Sequence, residues 1–360
     1  MSPIRLPEGE VRELREKLAR ATSQKEKATL EFKLDKWKII TAPTDIGEEK
    51  AHALIRQSLD EKHFELLLDK TGIVETPAPE FETLAVLAKG RLSKELLDRV
   101  RPVIRKAARQ KVAGGNRGDA AGTGMLPRKR KDGGAAKMKG VPHLEDLNDE
   151  DYARLKSATD GTWGYNARDI RGGREYPCRL TMYSGALPSE LRAMSELAQQ
   201  VAEAFQYSWA GERWEAQFAK AGKTPPDFLI KTKDGPTPFT TITCNKSYRT
   251  AAHVDKGDLR EGFGVMCCLG DFEGCDLVFP RYKTAVRYRE GDILLANVHQ
   301  VHGNTPLLNP DGTIPKVGRE PERLVCVFYY QENMDLCEKT AAAEKRFINR
   351  ERAKKAKAGM

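Results

Sequence analysis

The sequence predicts an α+β protein in which an antiparallel β-sandwich or barrel is flanked by helices. Three observations carry that expectation. Six short runs between residues 239 and 330 are rich in β-branched and aromatic residues and are bounded by Gly, Pro or Asp, the pattern of strands separated by turns. Segments 188–207 and 211–220 read as helices, and Leu191, Met194, Leu197, Val201 and Phe205 recur at helical spacing in the first, so that one face can lie against a sheet. Residues 8–110 show charged faces with modest apolar stripes, such as Val11, Leu14 and Leu18, and read as a helical N-terminal region.

The six strand-like runs are 239–245, 263–269, 276–279, 284–288, 293–298 and 323–330. Short strands with turns between them close into a sandwich or barrel, which sets His253 and Asp255 past the first run and His302 past the fifth. In the N-terminal region, segments 51–69, 81–89 and 93–110 continue the helical pattern. The last opens on a Ser cap and ends in basic residues, which complements the helix dipole. From 111 to 145 the composition turns to Gly, Ala, Lys and Arg and cannot bury a core. The expected organisation is a helical region at 1–110, a basic loop or linker at 111–145, the domain that carries the chemistry at 146–337 and a basic tail at 338–360.

Charge follows that division. The 360 residues include 61 Lys and Arg against 52 Asp and Glu, a net of +9, but residues 99–139 alone carry +11 and residues 339–360 carry +6, so the remainder is acidic. Basic flanks on an acidic body suit a polyanion such as nucleic acid; a solvated linker has the same composition, and the cluster at 127–131 also fits a nuclear address. Asn116 and Arg117 in the basic loop, and Tyr165 in the aromatic and Arg-containing stretch 163–168, are candidate substrate contacts, because such mixtures stack on bases and grip phosphates. Core or edge packing of Trp163 explains that stretch equally well. No apolar run approaches ~18 residues and the N-terminus lacks a secretory pattern, so a soluble intracellular protein without a membrane partner is expected. Seven cysteines form no C-x-x-C pair; neither structural zinc nor a disulfide is expected.

The chemistry sits at His253-Val254-Asp255 and His302. An imidazole and a carboxylate two residues apart, with a second imidazole far downstream, bind iron(II) on one face and leave three positions open. A pair that only hydrogen-bonds at a strand end is the competing reading of His253 and Asp255. His299 competes with His302, but residues three apart in an extended segment point to opposite faces, and His302 stands where a turn begins. Arg323, heading the last run, is the candidate cation for the remote carboxylate of a keto-acid co-substrate, where a planar bidentate fork is preferred. Its alternatives are a surface salt bridge to Glu320 or Glu322, or replacement in the role by Arg319.

With their surroundings these residues resemble a known family. The motifs are Phe239-Thr-Thr-Ile-Thr-Cys-Asn-Lys246, Tyr248-Arg-Thr-Ala-Ala-His-Val-Asp-Lys-Gly-Asp258, Asp276-Leu-Val-Phe-Pro-Arg-Tyr282, Gly291-Asp-Ile-Leu-Leu295, Val298-His-Gln-Val-His-Gly-Asn-Thr-Pro306 and Arg323-Leu-Val-Cys-Val-Phe-Tyr-Tyr330. Together they are similar to the TET/JBP group of 2-oxoglutarate and iron(II)-dependent DNA dioxygenases, closely over about 235–332 and loosely over 150–337. The resemblance implies a double-stranded β-helix of the jelly-roll or cupin kind. It implies hydroxylation of the 5-methyl group of 5-methylcytosine or thymine in DNA, on a base flipped from a duplex or in a single strand. It further implies iron(II), 2-oxoglutarate and O2 as cofactors, with His253, Asp255 and His302 as metal ligands and Arg323 as the 2-oxoglutarate anchor. Asn245 would line the co-substrate pocket and Asp258 would face the base. Asp255 argues for hydroxylation, since related halogenases lack that carboxylate. Two departures stand out: Gly274-Cys275 where relatives have Gly-Gly, and no Cys-rich zinc region as in the animal enzymes. The rival readings are a hydroxylase of a protein or small molecule and an inactive nucleic-acid-binding barrel. A DNA enzyme would work in a nucleus, or in a host cytoplasm if viral.

Overall fold

The computed structural model describes residues 16, 17, 20, 38–108, 120, 160–171, 174–181, 184, 188–206, 211–316 and 319–357. Thirteen strands make its two principal sheets: β1 (Lys38–Thr41), β2 (Leu66–Leu68), β3 (Gly72–Glu75), β4 (Thr83–Ala88), β5 (Asp160–Asn166), β6 (Arg179–Leu180), β7 (Thr241–Lys246), β8 (Gly264–Leu269), β9 (Leu277–Phe279), β10 (Thr284–Val286), β11 (Ile293–Ala296), β12 (Gly303–Asn304) and β13 (Leu324–Tyr329). Five helices accompany them: α1 (Glu48–His52), α2 (Lys94–Ala107), α3 (Pro188–Gln206), α4 (Gly211–Lys223) and α5 (Ala341–Lys357). The large sheet runs β1-β3-β4-β11-β8-β13-β7-β5-β6 and the small one β12-β9-β10-β2. Pairing is antiparallel except between β1 and β3 and between β10 and β2.

Successive strand residues point to opposite faces, and the central strands are apolar on both. Val265 and Cys267 of β8, with Leu324, Cys326 and Phe328 of β13, pack outward against Val100 and Ile104 of α2 and Leu197, Val201 and Phe205 of α3. Met266, Cys268 and Val325 face inward, against Leu277, Phe279 and Val286 of the small sheet. The result is the double-stranded β-helix that the sequence led one to expect, backed by helices on one side. The expected helices at 188–207 and 211–220 are α3 and α4. The expected Ser cap is also present: the Leu96 backbone N–H donates to the Ser93 hydroxyl at 3.3 Å, at the head of α2.

The N-terminal region is not the helical region that its sequence suggested. Residues 38–88 contribute four strands: β4 pairs with β11, β3 and β1 extend the large sheet beyond it, and β2 adds to the small one. Leu84 to Ala88 are all buried, and a run buried on both faces has no alternation, so its period cannot be told from that of a buried helix. The division at 110 therefore cuts through one sheet. The helix expected from residue 8, and the basic loop with Asn116 and Arg117, lie outside the described residues, apart from 16, 17, 20 and 120. Among the described residues no helix is long and apolar enough to cross a membrane.

The expected basic tail is helix α5, and it is docked. Glu344 is fully buried; it accepts from both Nε and Nη2 of Arg168, the latter at 2.7 Å, and from the backbone N–H groups of Cys178 and Glu338. Just before the helix, Cys337 is disulfide-bonded to Cys178, against the expectation of no disulfide. The partners are 159 residues apart and meet only because β6 and the chain after β13 converge, which spacing alone could not show. The other five cysteines described are free and buried.

Burial pushes the Glu344 carboxyl up, but Arg168 and the two backbone donors outweigh it and hold the group below its usual range. Glu344→Ala leaves Arg168 without this carboxylate, and a loss of about 2–3 kcal/mol is expected in denaturant unfolding, the lower part of the range for broken buried pairs because Arg168 is partly exposed. A group whose folded pKa is depressed stabilises above its unfolded value. The difference between wild type and variant should therefore be full above about pH 4.5 and shrink as pH falls through the depressed value.

Candidate active site

His253 and His302 face each other as a single antiparallel rung outside the named strands. The backbone N–H of His253 donates to the carbonyl of His302 at 2.8 Å, and that of His302 returns the bond at 2.9 Å. This fixes the two rings with centroids 4.3 Å apart. The approach depends on Gly303, where a Cβ would sit 2.9 Å from the backbone carbon of Ala251.

Each ring is oriented by the main chain. His253 Nδ1 lies 2.8 Å from the carbonyl oxygen of Ala251, and His302 Nδ1 lies 2.9 Å from that of Gln300. A carbonyl only accepts, so both Nδ1 atoms carry hydrogen, and in a neutral imidazole Nε2 is then the atom that can ligate a metal. They point at Asp255: His253 Nε2 is 3.5 Å from Oδ1 and His302 Nε2 is 3.6 Å from Oδ2. Burial pushes the Asp255 carboxyl up, but when the imidazoles are protonated the hydrogen bond from His302 and the imidazolium charges bring it down to about 2. The three residues can present ligand atoms all within 4.8 Å of one another. Two imidazoles and an ionised carboxylate grouped this way fit one face of an octahedral iron(II) ion with the opposite face open.

Arg323 leads into β13 on the same side as Val325, two residues on, and so faces inward. It is 3% exposed. Its Nη2 donates to the Tyr288 hydroxyl at 2.6 Å and Nη1 to the Tyr248 carbonyl at 3.5 Å, with the Phe272 and Tyr288 rings 5.4 and 5.5 Å away. Its Nε has no partner. Among the described residues no carboxylate pairs with it: Glu322 is taken by Arg105 at 2.6 Å and Lys246 at 3.7 Å. The surface-salt-bridge reading of Arg323 is thereby excluded, and Arg319 is exposed. A buried guanidinium without a counter-charge is costly. A carboxylate from outside the chain could supply that counter-charge.

Asn245 is in register with Val325, so it shares the inward face. Asp258 bridges to Gln331, beside the ligand loop, and its carboxyl is pushed well up by burial and by the nearby Asp255. His299 is not a member of the triad. Its Nε2 lies 3.1 Å from the Leu259 carbonyl, and it lines a separate cleft of roughly 900 Å³ with Glu75, Glu82, Asn297 and Arg281. Tyr165 meets Phe228 edge-on at 5.8 Å, a packing contact, and Trp163 is fully buried in the core.

Two tyrosines escaped sequence reasoning. Tyr288 supports Arg323. Tyr329 lies on the inward side of β13, its hydroxyl 3.2 Å from that of Thr243, within electrostatic reach of Asp258 and Asp255. Counting by twos from Arg323 reaches Tyr329 and would have found it. The unusual Gly274-Cys275 turn is accommodated by a left-handed Cys275, φ 51°, a conformation L side chains rarely adopt.

Residues 163–332 match the family described as the oxygenase domain of the 2OGFeDO superfamily, Tet_JBP, and that span holds the triad and Arg323. This segment is similar to the TET/JBP family. The chain is 49% identical over 76 residues to the bifunctional helicase and thymine dioxygenase JBP2 of Leishmania infantum, covering 21% of this chain and 7% of that protein. It is 32% identical over 178 residues to thymine dioxygenase JBP1 of the same organism, covering 49% of this chain and 20% of the relative. The chain thus spans a fifth or less of these curated relatives. In fold it is similar to NgTET1, solved in complex with 5mC DNA, with a TM-score of 0.51, 10% identity and coverage of 94% of this chain and 98% of that one.

The rung makes a sharp expectation for this candidate site. His302→Ala keeps the backbone bonds but removes a ligand, so Mn(II) affinity measured by calorimetry should fall by more than the about 10–100-fold that supporting partners cost, with little change in melting temperature of the metal-free protein.

Proposed function

We propose that the protein hydroxylates the 5-methyl group of thymine or 5-methylcytosine in DNA, using iron(II), 2-oxoglutarate and O2. The observation that carries this reading is the pairing of an open His253–Asp255–His302 face with a buried, uncompensated Arg323, in a segment whose relatives are named thymine dioxygenases. When bound, iron(II) and 2-oxoglutarate together supply oxidation of a C–H bond by O2, with succinate and CO2 as the other products.

The chain's own residues bind, orient and exclude. His253, Asp255 and His302 hold the metal. Arg323 and the Tyr288 hydroxyl take the distal carboxylate of 2-oxoglutarate in a site walled by Phe272, where a charge-assisted pair gains strength from the low dielectric. Asn245 lines the same pocket. Asp258, near Tyr329 at the mouth, faces the base and can hydrogen-bond its polar edge. The methyl group of a paired base lies in the major groove and cannot reach a ligand set at the bottom of a cup, so the nucleotide is flipped out at a cost of a few kcal/mol. Contacts from the basic segment 111–145, Asn116 and Arg117 included, offset that cost. Such a substrate places the protein inside a cell, in a nucleus or, for a virus, in host cytoplasm.

Incubating the protein with duplex DNA, iron(II), ascorbate and 2-oxoglutarate and digesting to nucleosides should give a mass gain of about 16 Da, one oxygen atom, on thymidine or 5-methyldeoxycytidine. Succinate release that is stimulated by peptides and not by DNA would sink the proposal. Arg323→Met should raise KM for 2-oxoglutarate about 10–100-fold, the worth of a charged hydrogen bond of roughly 1.5–3 kcal/mol, without weakening Mn(II) binding.

A further inference from the structure

Helix α5 has two unlike faces. Glu344, Phe347, Ile348 and Glu351 fall within one arc of about 100° on a helix with 3.6 residues per turn; Glu344 and Ile348 are fully buried and Phe347 and Glu351 are partly covered. Lys345, Arg346, Asn349 and Arg350 fall on the other side and are all exposed. Both acidic residues described in the helix are engaged, Glu344 with Arg168 and Glu351 with Lys354 at 2.8 Å. Lys345, Arg346 and Arg350 have no hydrogen-bond or ion-pair partner among the described residues.

Where this face lies is set by a short chain of contacts. Arg168 grips Glu344 and stacks on the Phe347 ring, 4.2 Å from its centroid. The preceding residue, Ala167, donates its backbone N–H to Gln331 Oε1 at 2.8 Å. Gln331 in turn bridges Asp258, three residues beyond the ligand Asp255. The root of α5 is thus tied to the rim of the candidate site. Cys178–Cys337 and Ile348 keep it there.

We infer that the outward face of α5, Lys345, Arg346 and Arg350, is a contact surface for the phosphate backbone of DNA flanking the nucleotide in the site. This rests on the DNA-modification reading above and adds a named surface to it. Arg346 and Arg350 stand one turn apart, about 6 Å along the axis, and duplex DNA carries a negative charge every ~1.7 Å of its own axis. Uncompensated cations held on a packed helix meet such a lattice without first being ordered. By contrast, the cleft beside His299 carries Glu48, Glu75, Glu80, Glu82 and Glu261 against Arg213, Arg260 and Arg281, a balance that favours a polyanion less than the wholly basic face of α5.

The test uses the full chain and a duplex of about 24 base pairs containing thymine and 5-methylcytosine. Binding is followed by anisotropy between 50 and 200 mM salt, and turnover by succinate release. Lys345→Gln, Arg346→Gln and Arg350→Gln combined should flatten the dependence of log Kd on log salt by about 2–3, near 0.9 for each phosphate that is no longer neutralised, and raise KM for DNA with kcat unchanged. The melting temperature reports that the variant is folded, and Arg346→Lys with Arg350→Lys should keep the slope. Remote cations Lys94, Arg99 and Lys106, exposed on α2 against the outward face of the large sheet, changed to Gln together should leave it unaltered. An unchanged slope in the α5 triple variant, or an equal flattening in the remote one, overturns the inference while wild-type oxidation of DNA leaves the functional reading standing. A wild type that oxidises no nucleoside instead removes the functional reading itself.

Discussion

Two backbone hydrogen bonds between His253 and His302 hold the site together. They join a loop that follows β7 to one that follows β11, and without them the imidazoles would belong to separate, independently moving segments. Because the bonds are between main-chain groups, ring spacing is set by ladder geometry and not by side-chain packing. Side chains add only direction: each Nδ1 is spent on a carbonyl two residues earlier, and each Nε2 is thereby delivered to the same point in space. Gly303 is what lets the two loops approach this closely, since any side chain there would meet the Ala251 backbone.

The rest of the fold serves that rung. Sandwiching the central strands between helices α2 and α3 on one face and the small sheet on the other makes them rigid, and their inward residues become the walls of the cup. The inward face is not uniformly apolar. Arg323 interrupts it with a charge that the protein leaves without a carboxylate partner, although acids are near: Glu322, the adjacent residue, is drawn outward by Arg105 and Lys246. Keeping that neighbour occupied leaves Arg323 with neutral partners, the Tyr288 hydroxyl and the Tyr248 carbonyl.

Charge is divided along the chain in a way that the fold turns into geography. The C-terminal segment is basic by composition, but the structure spends its acids internally, on Arg168 and Lys354, and turns its cations outward next to the site's rim. The cleft in which Glu outnumbers Arg is lined by His299, Gln300 and Val301, the residues that lead into His302.

The sequence by itself pointed to the residues of the candidate site. His253, Asp255, His302 and Arg323 were legible because ligand sets are made of rare residue types in fixed order, and because strand-length apolar runs told where each would emerge. The helices α2 to α4 were legible from a 3.6-residue period and a Ser cap. Only the tertiary structure decided that Arg323 lacks a carboxylate partner, that Tyr288 and Tyr329 join the cup, and that Cys178 meets Cys337. It also decided that residues 38–88 are strands and not helices. The physical reason is common to all of these: local sequence sets the period of a segment, whereas pairing across long separations sets which face is buried, and a segment buried on both faces or bonded to a partner far along the chain carries no local mark of either.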